Sequence, residues 1–170
     1  LKRQFLAISC SVLMLLPMGC STTALGKAQT ASNVIAAIFT IAQDEVGAIP
    51  VQDQAIYSGF VTLGLTLNSQ LNTCIGAAGS QTGKAAFLAC FNTFVQGLNS
   101  PTELAQLRLL SGKTQGTVQK YLVAVITGVN VAFSFFGGTP ATAPTVGTAP
   151  TAAELHELQR NPRIQLAMGL

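Results

Sequence analysis

Charge is scarce in this chain. Charged residues make up 9% of its 170 positions, against about 25% in an ordinary globular domain. There is no tryptophan, and His156 is the only histidine. Beyond Lys2 and Arg3 the cations are Lys27, Lys84, Arg108, Lys113, Lys120, Arg160 and Arg163, and the acids are Asp44, Glu45, Asp53, Glu103, Glu154 and Glu157. Seven minus six leaves +1, so two units of the overall +3 belong to Lys2 and Arg3. No basic patch or aromatic platform is present to hold phosphates and stacked bases, so nucleic acid is excluded as a partner. Acid–base and nucleophilic catalysis need a base held beside its nucleophile. Here the one histidine sits in a tail segment between Glu154 and Glu157, and no GxSxG or HExxH motif occurs. No enzyme activity and no cofactor is expected. There is no CxxC pair, and His156 is far in sequence from every cysteine, so no metal site is expected either. The polar surface must come from Ser, Thr, Asn and Gln, which resist association poorly. Self-assembly, a membrane-facing surface, a crowded envelope setting or a plain compositional habit of the source organism would each account for such a surface.

What the chain does have is a distinctive beginning. Lys2 and Arg3 precede an apolar run from Phe5 to Leu16, and Gly19 and Cys20 end it. A dozen apolar residues are too few to cross a bilayer core, which takes about 20. The layout is that of an export signal. The segment Leu16, Pro17, Met18, Gly19, Cys20, Ser21 resembles the lipobox of bacterial lipoproteins. The resemblance covers about 21 residues and rests on Gly19 and Cys20. Pro17 and Met18 depart from the pattern, and the nearest leucine lies one place early. It implies cleavage before Cys20, a diacylglyceryl thioether on that residue and attachment to the membrane. Ser21 in place of Asp favours the outer membrane, facing the periplasm. Ala7, Ile8, Ser9 and Cys10 have a similar pattern but only Phe5 and Leu6 as apolar lead. An alternative is ordinary cleavage after Ala24 or Gly26, giving a secreted or periplasmic protein. On the lipoprotein reading, residues 1–19 are signal, 20–27 tether, 28–136 a helical domain, and 137–170 a flexible linker with a short C-terminal helix.

The remainder reads as helix throughout. Val34, Ile35, Ile38, Ile41 and Ala42 place one apolar face on a helix over 27–46. Ile56, Phe60, Leu63, Leu67 and Leu71 do the same over 51–73, with Gly59 and Gly64 as weak points that would permit close approach of another helix. Phe87, Cys90, Phe91, Phe94 and Leu98 line a third helix over 82–98. Ser100, Pro101 and Glu103 have the pattern of a capping box opening a short fourth helix. Val118, Tyr121, Leu122, Val125, Val129 and Phe133 line a fifth over 114–136, opposite a narrow polar stripe of Lys120, Thr127, Asn130 and Ser134. Residues 137–150, rich in Pro, Thr, Ala and Gly, have no apolar period and read as a mobile linker. Thr151 and Glu154 form a second capping box before a helix that Asn161 and Pro162 end. The expected fold is all-α, an up-and-down bundle of four to five helices.

Cys74 and Cys90 flank the turn between the second and third helices. Export permits their oxidation, and a disulfide is expected. Gly79 to Ala85 comes close to a phosphate-binding loop but fails it, because Ala85 replaces the Ser/Thr and no strand precedes it. Asp44, Glu45 and Asp53 surround one turn, where helix-end and solubility roles are the ordinary use of acids. Three roles stay open. The chain is a structural or interaction lipoprotein meeting an envelope partner or itself. Alternatively, a bundle interior rich in Phe87, Phe91, Phe94, Phe133, Phe135 and Phe136 holds an apolar ligand or lipid. Alternatively, the fifth helix inserts in the bilayer and oligomerises.

Overall fold

A computed structural model describes residues 23–79 and 83–170. The residues described form seven α-helices and one 3-10 turn, with no strand among them. In chain order they are α1 (Ala24–Asp44), the 3-10 turn (Val46–Ala48), α2 (Val51–Ala78), α3 (Lys84–Leu98), α4 (Pro101–Leu107), α5 (Gly112–Phe136), α6 (Ala152–Gln159) and α7 (Pro162–Met168). The fold is all-α, as the periodicity requires. Four long helices run alternately up and down, and α4 lies in the connection from α3 to α5.

Cross-contacts fix the direction of each helix. At one end, here the capping end, the Tyr57 hydroxyl donates to the Ala42 carbonyl at 3.0 Å, and Asp53 of α2 accepts from Ser111 and Thr114 at the start of α5. At the other, the disulfide end, Cys74 and Cys90 lie at disulfide distance with Cα atoms 5.7 Å apart. Phe87 there stacks on Phe136 with ring centroids 5.2 Å apart, and the Lys27 ammonium lies 4.5 Å from the centroid of the Phe135 ring. So α1 and α3 run from the disulfide end to the capping end, and α2 and α5 run back.

Each helix starts and stops for local reasons. Thr23 caps α1 by accepting from the Gly26 N–H at 3.1 Å. Pro50 precedes α2 and cannot continue the previous helix. Gly137 ends α5 in the left-handed region at φ +80°, where a side chain would be strained. Ser100 is a correction. It opens α4 but makes no side-chain cap, and its N–H donates to the Gly97 carbonyl at 3.3 Å. With that donor already satisfied, Glu103 has no reciprocal bond to make. The box at Thr151 forms in full: Thr151 Oγ1 accepts from Glu154 N–H at 3.3 Å, and the Glu154 carboxylate accepts from Thr151 N–H at 2.7 Å.

The core is continuous from α1 to α7. The expected faces of α3 and α5 are buried throughout. The buried line of α2 is rotated from the leucine stripe. It runs Tyr57, Phe60, Val61, Gly64, Asn68, Leu71 and Ile75, while Ile56, Leu63 and Leu67 are half-buried beside it. Gly64 explains part of this. The Phe39 ring of α1 occupies the space that any Cβ at position 64 would need, so the two helices close over a ring set into a gap. Gly59 has open space around it and brings no helix close. Asn68 is the other reason, since its amide oxygen accepts from the buried Ser32 hydroxyl at 3.0 Å.

The linker and tail differ from expectation. Residues 138–151 are extended, yet they run back along α5 and are tied to it. The Gln119 oxygen accepts from the N–H groups of Val146 at 2.7 Å and Gly147 at 3.2 Å, and its amide donates to the Pro144 carbonyl at 3.1 Å. Asn130 exchanges two bonds with the backbone of Ala141. The Asn161–Pro162 break is one residue deep. Asn161 accepts from the Arg163 N–H at 3.0 Å and starts α7, which lays Ile164 and Met168 against the core.

Candidate functional site

The residue proposed for lipidation, Cys20, lies outside the described residues. The first described residue is Thr23, whose hydroxyl caps α1 at the disulfide end. The first turn of α1 meets Phe135 through Lys27 and lies against Gly79, at the end of α2, through Leu25. Cys74 lies in the last turns of α2 and Cys90 on the buried face of α3, sixteen positions apart. A pair closing a loop of this length stabilises by about 3 kcal/mol in the chain-entropy model.

The three acids expected around one turn are separated by their partners. Asp44 pairs with Arg163 of α7, and both groups are solvent-exposed. Glu45 meets Lys120 of α5 at 3.5 Å. Asp53 faces inward and is 4% exposed. Its carboxylate accepts from the Ser111 N–H and hydroxyl and from the Thr114 hydroxyl, the last at 2.6 Å. These hydroxyls, first Ser111 and then Thr114, hold the Asp53 pKa below its ordinary value against the opposing effect of burial. Asp53 sits in the first turn of α2 and caps α5 from outside, so one negative charge serves two helix N-termini. That explains why Ser111 makes no cap of its own: its hydroxyl donates to Asp53 instead. The arrangement is one carboxylate accepting from two hydroxyls at the start of α5. Among the described residues no group of three or more His, Cys, Asp or Glu is placed to hold a metal ion.

Beside this lies an unsatisfied group that the sequence did not reveal. The Tyr121 hydroxyl is fully buried and has no hydrogen-bond partner of acceptable geometry. Burial first, and the neighbouring Glu45 next, raise its pKa far above the ordinary tyrosine value. Lys120 lies 4.6 Å from the centroid of the same ring. A groove among the described residues is lined by Ile56, Phe60, Leu63, Leu98, Glu103, Gln106 and Leu107, not by Tyr121, and has a cavity volume of about 10 Å³.

The phenylalanines considered as a ligand chamber are packed against each other. Phe91 sits against Phe133 and Phe136, and Phe87 stacks on Phe136. Phe94 is buried, and Phe135 is half-buried under Lys27. Of the expected polar stripe on α5, Lys120 meets Glu45 and Asn130 holds the linker. By length and composition α5 is the one helix among the described residues that could cross a membrane, and here it packs within the bundle. Lys84 and Ala85 are exposed at the start of α3, and His156 is exposed on α6. Residues 80–82 of the near-miss phosphate loop lie outside the described residues.

Comparison with protein-family models, with curated proteins and with solved structures finds no match to this chain.

Proposed function

We propose that this chain is a lipoprotein of the bacterial envelope, tethered through a lipidated Cys20, with a structural or protein-interaction role at the outer membrane. The observation that supports this reading is the cap of α1. Thr23 accepts from the Gly26 N–H. Ordinary cleavage after Ala24 or Gly26 would delete that cap and cut into the first turn, at a cost of about 1 kcal/mol for the cap alone. Cleavage before Cys20 leaves the cap intact, with Ser21 and Thr22 as spacer between lipid and helix. The Cys74–Cys90 pair suits an oxidising compartment. Two acyl chains are enough for stable anchoring. An exchangeable Ser/Thr/Asn/Gln surface with little charge suits contact with another envelope protein or with a second copy.

The test is expression in a bacterial host, followed by membrane fractionation and intact-mass measurement. The expected outcome is a chain beginning at a diacylglyceryl-modified Cys20 in the membrane fraction, and a Cys20→Ser chain that loses the modification. An unmodified chain beginning beyond Cys20 would overturn the reading. In-cell cross-linking of the tethered form then separates self-association from contact with another envelope protein.

A further inference from the structure

The few charges of this chain are sorted along the bundle axis. All six acids lie on elements at the capping end: Asp44, Glu45, Asp53, Glu103, Glu154 and Glu157. Arg108, Lys113, Lys120, Arg160 and Arg163 lie there too, so five cations minus six acids give that end −1. The disulfide end has Lys27 and Lys84 alone among the described residues, a charge of +2. Between these ends the chain passes without any charge, through thirty residues from Asp53 to Lys84 and thirty-three from Lys120 to Glu154. Lys84 is exposed, and Lys27 is half-buried above the half-buried Phe135 ring. On the tether reading Cys20 stands three positions before Thr23, which caps α1 at this same end.

We propose that the disulfide end is a membrane-contacting surface, on which Lys27 and Lys84 meet the phosphates of anionic phospholipids. This rests on the tether reading, because two lysines alone attract a bilayer weakly. The attraction is about fivefold per cation and acts only within a Debye length of the surface. The tether supplies the proximity, and the axial charge sorting supplies the orientation. The +2 end is drawn to an anionic leaflet and the end holding every acid is turned away. The bundle then stands with α1, α2, α3 and α5 along the membrane normal, and its capping end faces the aqueous side.

Lysine acetylation footprinting of the tethered chain tests this. The protein is reconstituted in vesicles of phosphatidylcholine alone or with phosphatidylglycerol added, and each lysine is read by mass spectrometry. The expected result is about fivefold slower modification of Lys27 and Lys84 on the anionic vesicles, reversed by high salt, with the exposed Lys113 unchanged. Equal rates at Lys84 and Lys113 on anionic vesicles would overturn the proposal, as would protection that ignores lipid charge. The N-terminal mass of the same sample reads the tether separately. A lipidated Cys20 with unprotected lysines sinks the surface and leaves the tether standing. An unlipidated chain sinks the tether reading and, with it, this surface.

Discussion

Tyr57 and Tyr121 are both fully buried, and only one of the two hydroxyls is satisfied. Tyr57 donates to the Ala42 carbonyl at 3.0 Å, whereas the Tyr121 hydroxyl lies beside Glu45 without a hydrogen bond of good geometry among the described residues. Leaving a buried hydroxyl unpaired costs roughly 1–3 kcal/mol, while a paired one contributes about 1 kcal/mol. Tyr121→Phe is therefore expected to leave stability unchanged or raise it by about 1 kcal/mol, and Tyr57→Phe to lower it by a similar amount. Urea unfolding of the two variants side by side decides the matter, and equal losses would show that Tyr121 has a partner. Asp53 gives a second prediction at this scale. Its folded pKa lies below the ordinary value of 3.8, so its contribution is complete above that value and is lost as pH falls through the lower folded one. Acidification below about pH 4 is expected to destabilise the protein, and Asp53→Asn to flatten that dependence. Parallel pH profiles for the two proteins would remove Asp53 from this role.

At the scale of elements, α3, α5 and the all-α class were legible because their apolar residues recur at helical spacing and are truly buried. The face of α2 was not. Its buried line includes Gly64 and Asn68, whose burial is decided by Phe39 and Ser32 on another helix, and spacing within α2 contains no trace of either. The linker was legible as extended but not as tied down. A signal was present: Gln119 and Asn130 are eleven positions apart, close to three helical turns, and so share one face of α5. Their side-chain amides replace the pairing that an extended backbone otherwise finds in a sheet. Gln119→Ala removes three such bonds, and is expected to speed protease cleavage within residues 140–150 by tenfold or more at about 1 kcal/mol per bond. Unchanged cleavage would mean the amide is not what holds the linker. The short α7 was missed because Asn161 and Pro162 were read only as a stop. The same two residues also make an N-cap and first-turn proline.

For the whole molecule, the candidate site was legible in part. Cys74 and Cys90 could be paired by their position around one turn, because a turn between antiparallel helices brings its flanks together. The dispersal of Asp44, Glu45 and Asp53 to three separate partners could not, since Arg163, Lys120 and Ser111 come from distant parts of the chain. Nor could the axial sorting of charge be read before the direction of each helix was known. Cys74→Ser with Cys90→Ser is expected to cost about 3 kcal/mol, and hydrogen exchange in these variants is expected to quicken first in the last turns of α2 and the first turns of α3. Loss spread evenly over the bundle would mean that the pair acts on the unfolded chain alone.

The same cross-link also limits how far this protein can be stretched. An extended chain gains about 3.3–3.6 Å for each residue, and sixteen positions between Cys74 and Cys90 are bridged by a Cα–Cα distance of 5.7 Å. Pulled from its two ends until every helix had unravelled, the oxidised chain would stop roughly 50 Å short of the reduced one. A single-molecule force trace would record that missing length directly, and adding a reductant under load would release it as one discrete step.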